Sequence, residues 1–340
     1  MQLQTARPSL VCEGGKIGDL TAPDEKRVKI MNADSAYIEP FLYDWVNHLQ
    51  EIMEERKQEI INREQFMPCE AITEIVVKAA THIAECLEVD HHVKYMALEL
   101  FDKFINELYC DCYNRRKNDS DEWFQDYRKR SSTHSPFYLL SCFQVASKVN
   151  SHPNILKISQ VLELVQVFVK NYEYTRDMVT SMEIEVLKKA GFRMPLYTPV
   201  YCIEILLAAL KIHFESEKTT ENREKLYDTS MLLLDLAYMQ HEKLYQLFQS
   251  YFVCRSTQMS IEKKDQELRI LKSNAFLLSA AIVLCTGYIL YPHSTLNNTR
   301  LRIVSNLAKL VNATETEIII MANALYQLVQ YHISNSNTDI

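Results

Sequence analysis

The segment "FYLLSCFQVASKVN", Phe137 to Asn150, is apolar almost all round, yet it carries Ser141, Gln144 and Lys148 at i, i+3 and i+7. Side chains at that spacing share one stripe of a helix. Glu183 is a similar oddity, in line with Val179 and Leu187 and beside Met182 and Val186. An ammonium or a carboxylate on an apolar face is costly unless an opposite charge answers it. The economical expectation is that Lys148 and Glu183 meet at the rim of one helical bundle. The chemistry on offer is ion pairing and hydrogen bonding. A routine structural salt bridge and a pair that serves a partner both fit the spacing.

Bond-making chemistry finds no comparable signal. The chain holds no HExxH, no GxSxG and no kinase signature. "EGGKIGD", Glu13 to Asp19, lacks both the spacing and the Ser/Thr of a phosphate-binding loop. His91 and His92 are adjacent, so on a helix they point to different faces and make a poor metal site. Nine cysteines form no framework, with Cys110 and Cys112 one residue apart and the rest scattered. Free thiols in a reducing compartment are expected. The net charge of −7 argues against nonspecific nucleic-acid binding by the whole chain. A polar N-terminus without an apolar signal segment argues against secretion. The expectation is a regulator rather than an enzyme, with no catalytic residue, cofactor or metal.

The elements that must position Lys148 and Glu183 are helices. Only five glycines occur in 340 residues, and none lies between Gly18 and Gly191. Without glycine for hairpin turns and bulges, a sheet is disfavoured over that span, and the chain reads as all-α. Residues 1–36 mix Gly, Pro and charge and read as a disordered leader. Leu42, Trp45, Val46, Leu49, Ile52 and Met53 then mark an amphipathic N-terminal helix within 37–64, either docked on its own domain or a partner-binding arm. Five helices follow, at 72–87, 93–108, 136–149, 158–169 and 178–190, with Pro136 suited to a first turn and Gly191 to a C-terminal cap. A second set is expected at 199–213, 224–240, 242–252, 267–291 with a possible break, 300–312 and 315–332. Thr314 and Glu317 open the last helix as a capping box. "NAFLLSAAIVLCTGYILY", Asn274 to Tyr291, is uncharged over a length that reaches the lower limit of a membrane span. A central helix surrounded by amphipathic neighbours explains it better.

Four stretches in register resemble the cyclin box: "DKFI" (Asp102–Ile105), "FQVASK" (Phe143–Lys148), "YTRDM" (Tyr174–Met178) and "MEIEVLKKAGF" (Met182–Phe192). "MPLYTPV", Met194 to Val200, is similar to the linker into a second box. The resemblance covers roughly residues 65–333. It implies two tandem cyclin-box-like five-helix bundles, at 65–197 and 198–333, with a short tail at 334–340. It also implies a cyclin-dependent kinase as partner, with Lys148 and Glu183 as the kinase-binding pair and Ser141 and Gln144 as secondary interface candidates. Within the cyclins, "LLSCFQVASKV" and "LLLDLAYMQHEKLYQLF", Leu232 to Phe248, look like a meiotic crossover factor. That likeness implies a nuclear, chromosome-associated role, with a cytoplasmic pool not excluded and meiotic recombination proteins as further partners.

Departures keep a second function class open. "ITEIVVKA", Ile72 to Ala79, lacks the Arg and Trp of a substrate-docking patch, and "VNSHP" follows Lys148 where cyclins are acidic. An interaction scaffold that kept the fold and recruits recombination proteins without activating a kinase is the alternative. Residues 106–135 read as an inserted solvated loop, whose "NRRK" and "RKR" runs offer a sharper reading as a DNA or partner contact. The same loop carries Ser135–Pro136, a weak match for proline-directed phosphorylation.

Overall fold

The computed structural model describes residues 35–63, 70–115, 122–150, 155–168, 173–213, 220–253, 261–291 and 297–336. The leader expected at 1–36 lies outside these residues except for its last two, and the tail at 334–340 except for its first three. The described residues form helices and no strand. The helices are α1 (Ser35–Asn62), α2 (Glu74–Cys86), α3 (His91–Asn114), α4 (Glu122–Val149), α5 (Ile158–Phe168), α6 (Arg176–Lys189), α7 (Pro199–His213), α8 (Thr220–Met239), α9 (His241–Val253), α10 (Ile261–Ser273), α11 (Ala275–Leu290), α12 (Asn297–Val311) and α13 (Glu315–Ser336).

Local chemistry sets the helix ends. Thr73, Asp90 and Thr175 sit in extended conformation at the N-caps of α2, α3 and α6, each accepting a bond from the backbone N–H three residues on. The capping box of α13 forms as expected, with Thr314 N–H donating to Glu317 Oε2 at 2.8 Å and Glu317 N–H to Thr314 Oγ1 at 3.2 Å. Gly191 adopts φ +63° past the end of α6, where a side chain would be strained, and the Phe192 N–H closes back onto the Leu187 carbonyl at 2.9 Å.

Helices α2 to α6 pack among themselves around α3 and α4, while α7, α8, α12 and α13 pack around α11, with α9 joined to α8 and α13. Helix α1 is docked against α7, α10, α11 and α12 through the buried Leu42, Val46 and Leu49, which decides against a free arm. The helix expected at 267–291 breaks at Asn274, whose side chain caps α11, and the chain bends there by 66°. Every residue from Ala275 to Thr286 is buried, and no single helix among the described residues is long and apolar enough to cross a membrane. The few polar atoms of α11 are satisfied inside. The Ser279 hydroxyl lies 2.7 Å from the Ala275 carbonyl and 3.1 Å from that of Pro199, and the Thr286 hydroxyl lies 3.0 Å from that of Ser230.

The inserted loop expected at 106–135 is not a loop. Helix α3 continues to Asn114 and α4 begins at Glu122, so the two form a helical hairpin that extends beyond the expected ends; residues 116–121 lie outside the described ones. Aromatic packing holds the extension together. Tyr109 lies 5.7 Å from Trp123 and 5.5 Å from Tyr127, and Tyr113 lies 5.5 Å from Trp123, centroid to centroid. Each such pair adds roughly 0.5–1.5 kcal/mol beyond its buried area. Pro136 therefore falls inside α4 rather than in its first turn. The bond it cannot make would have gone to the Ser132 carbonyl, on an exposed residue that water can serve. Ser135 accordingly sits within a helix and is not offered on a loop.

A candidate partner-binding face

The four cyclin-like stretches converge on α6. Tyr174, buried just ahead of it, packs on Phe137 at 4.4 Å and shares a 2.8 Å hydrogen bond with His134 Nδ1. Thr175 then starts the helix, and Lys188 and Lys189 in its last turn complement the dipole. From α3, Lys103 of "DKFI" donates to the Ala190 carbonyl at 2.9 Å, which also accepts the Arg193 N–H at 3.2 Å past the helix end. From α4, Lys148 reaches Glu183 at 2.5 Å.

The expected meeting of Lys148 and Glu183 thus occurs, and its location explains the lysine. Helix α4 is buried from Leu139 to Ser147 and emerges at Lys148, whose side chain is 42% exposed against 17% for Glu183. The lysine stands where the core ends. Ser141 and Gln144 do not join it, which corrects their place as secondary interface candidates. Both are fully buried, and the Ser141 hydroxyl is spent on the Phe137 carbonyl at 2.9 Å. A stripe at i, i+3, i+7 turns with the helix, and only its last member clears the neighbouring helices. Ser147 is the residue that periodicity missed: its hydroxyl donates to the Gln144 carbonyl and accepts the Leu156 N–H at 3.3 Å, tying the chain entering α5 to the end of α4.

Exposed apolar side chains adjoin the ion pair in sequence. Val149 follows Lys148, Ile184 follows Glu183, and Ile155 precedes the Leu156 that bonds to Ser147; all three are exposed, as are Val167 and Phe168 at the end of α5. Scattered exposed aliphatics are ordinary, and those next in sequence to this partly buried ion pair are of the residue type found at interface centres.

Asp102, the first residue of "DKFI", is held by Asn106, whose Nδ2 donates to its carbonyl at 2.8 Å and to Oδ1 at 3.3 Å. Burial, with Glu99 and Glu70 adding their charge, raises the Asp102 carboxyl from the ordinary 3.8 to about 6. The folded chain therefore holds this proton more tightly than the unfolded one, so Asp102 costs stability as pH rises from about 4 through about 6. Asp102→Asn is expected to raise the melting temperature at pH 7 and to leave it nearly unchanged at pH 4. Melting curves across that range check this, and a variant destabilised at pH 7 would show that the carboxylate is needed.

Comparison with known proteins agrees with the motifs. The chain is 27% identical over 210 residues to the mouse (Mus musculus) and human (Homo sapiens) proteins named Cyclin N-terminal domain-containing protein 1. The match takes in 60% of this chain and 60% and 61% of the respective relatives. No family model matches. The resemblance read from "DKFI", "FQVASK", "YTRDM" and "MEIEVLKKAGF" thus meets cyclin-named relatives, and the chain is cyclin-like in sequence.

Proposed function

We propose that this chain is a non-catalytic cyclin-like regulator that binds a cyclin-dependent kinase through the face around Lys148 and Glu183. By the likeness of "LLSCFQVASKV" and "LLLDLAYMQHEKLYQLF" to a meiotic crossover factor, its role is to promote the maturation of recombination intermediates into crossovers, in the nucleus and at chromosomes. The observation that carries the reading is the ion pair at the exposed end of α4, with the exposed Val149 and Ile184 next to it in sequence; it stands at the motif positions that the cyclin resemblance assigns to the kinase contact. An ion pair so placed adds little to folding but sets orientation and specificity for a partner.

The test is co-purification with a panel of cyclin-dependent kinases, with activity assayed on any complex. Lys148→Glu is expected to weaken kinase retention at least about 30-fold, the equivalent of roughly 2 kcal/mol. Its melting temperature should move little, because a pair with so exposed a lysine is worth about 1 kcal/mol or less. The double reversal Lys148→Glu with Glu183→Lys restores the pair within the chain but still presents the wrong charges to the kinase, so binding should stay lost. A wild-type chain that retains no kinase, or rescue of stability with no binding defect in any variant, would overturn the assignment. Retention of a kinase that gains no activity would favour the scaffold, which the missing acidic residues after Lys148 already suggest.

A further inference from the structure

A chain with a net charge of −7 nonetheless gathers several exposed cations along one hairpin and the helix beside it. Along one side of α3, at i, i+4 spacing, stand Lys103, Glu107, Asp111 and Arg115. The two carboxylates are already answered: Glu107 pairs with Arg63, and Asp111 with Lys189 and, at 3.5 Å, with Arg115. The most exposed side chains here are cations. Arg115 is 80% exposed, and Lys103, Lys188 and Arg193 are exposed where α3 meets the end of α6. On the other arm of the hairpin Arg128, Lys129 and Arg130 are exposed in succession. Helices α3, α4 and α6 pack against one another, which sets the two arms of the hairpin beside α6.

We propose that this α3–α4–α6 ridge is a binding surface for the phosphate backbone of a nucleic acid. From Lys103 to Arg115 the ridge follows roughly 18 Å of helix axis, long enough to meet phosphates over about five base pairs. Tyr113 and Trp123, both half-buried beside Arg115, add aromatic faces of the kind on which bases stack. The acidic remainder of the chain orients the ridge toward a polyanion and repels it elsewhere, which reconciles local binding with the overall charge. An acidic protein would satisfy the charge alone, but it would not use the aromatic faces or need an extended track. This surface does not depend on the kinase-binding face.

The experiment is fluorescence anisotropy of the full chain with a labelled mixed-sequence duplex of about 30 base pairs, at about 50 and 200 mM salt. Binding is expected at low salt with a Kd on the order of 10⁻⁶–10⁻⁴ M, weakening steeply with salt. Arg115→Gln with Lys129→Gln and Arg130→Gln should weaken it at least about tenfold and flatten the salt slope by about one for each phosphate no longer neutralised. Arg128 is left in place because its guanidinium lies over the Phe124 ring. Lys188→Gln with Arg193→Gln, at the far end of the ridge, should weaken binding too, and it decides the matter if the triple variant does not fold. Lys309→Gln, on α12 in the other half of the chain, should change nothing. Failure of the wild type to bind at the lower salt, equal losses in the Lys309 variant, or tighter binding of poly-glutamate than of the duplex would each overturn the proposal.

Discussion

Asp235→Leu is expected to destabilise the chain by about 3–5 kcal/mol, one of the two largest single-residue effects anticipated here. Asp235 on α8 receives Lys94 Nζ at 2.6 Å and also accepts the Tyr95 hydroxyl, both from α3. Lys94 is 4% exposed and Asp235 20%, so the ammonium has no route to water once its carboxylate is gone. Tyr95, fully buried, packs edge-on against Tyr238 of α8 at 4.9 Å and cannot turn its hydroxyl outward. Leucine would therefore leave a buried charge and a buried phenol without partners, and each such loss is costly.

The result to look for is a fall in the denaturation midpoint at unchanged denaturant slope. Removing both charges separates pairing from packing. Lys94→Met with Asp235→Leu should recover most of the loss, and adding Tyr95→Phe should recover more, because apolar side chains of similar volume fill the site without desolvation. A single variant that costs under about 1 kcal/mol would mean that water screens the pair.

This seam between α3 and the second half of the chain could not be read from the sequence, and the reason is physical. Lys94 and Asp235 are 141 residues apart, and His92 and its partner Glu204 are 112 apart; Arg56 of α1 and its partner Glu99 of α3 are likewise 43 apart. Periodicity reports which way a side chain faces on its own helix, never what stands opposite. Lys94 is among the most buried charges described, and nothing in its own helix announces the carboxylate that answers it. The Lys148–Glu183 pair was legible because both charges interrupted otherwise apolar helices and because motif order brought those helices together. Ser141 and Gln144 show the limit of the same reasoning, since a polar stripe can be satisfied, or left waiting, inside a core. The described helices of the second set fell close to expectation, because long apolar periodic runs leave little freedom. The hairpin at 106–135 was missed because Tyr109, Tyr113, Trp123 and Tyr127 carry its helical spacing among charged residues, where apolarity is hard to see.

The second large effect is expected at the centre of the second half. Phe276→Ala should cost about 3–5 kcal/mol, the sum of lost transfer energy and an unfilled cavity. Phe276 is fully buried in α11, a helix enclosed by α1, α7, α8, α12 and α13. Enclosure on all sides is why the segment carries no polar face and resembles a membrane span by composition. The two explanations make opposite demands on its alanines. In a packed protein core, Ala280 and Ala281, both fully buried, mark where neighbouring helices approach too closely for a larger side chain. Ala281→Leu should then destabilise by about 1–3 kcal/mol through overpacking, although it makes the helix more apolar. In a lipid-facing helix the same change would be neutral or favourable. Chemical denaturation of the chain purified without detergent measures both variants on one scale. Losses in both, from a smaller residue at 276 and a larger one at 281, identify a filled core whose shape is fixed in both directions. A neutral or stabilising Ala281→Leu, or a chain that stays in solution only with detergent, would return the apolar run to the membrane.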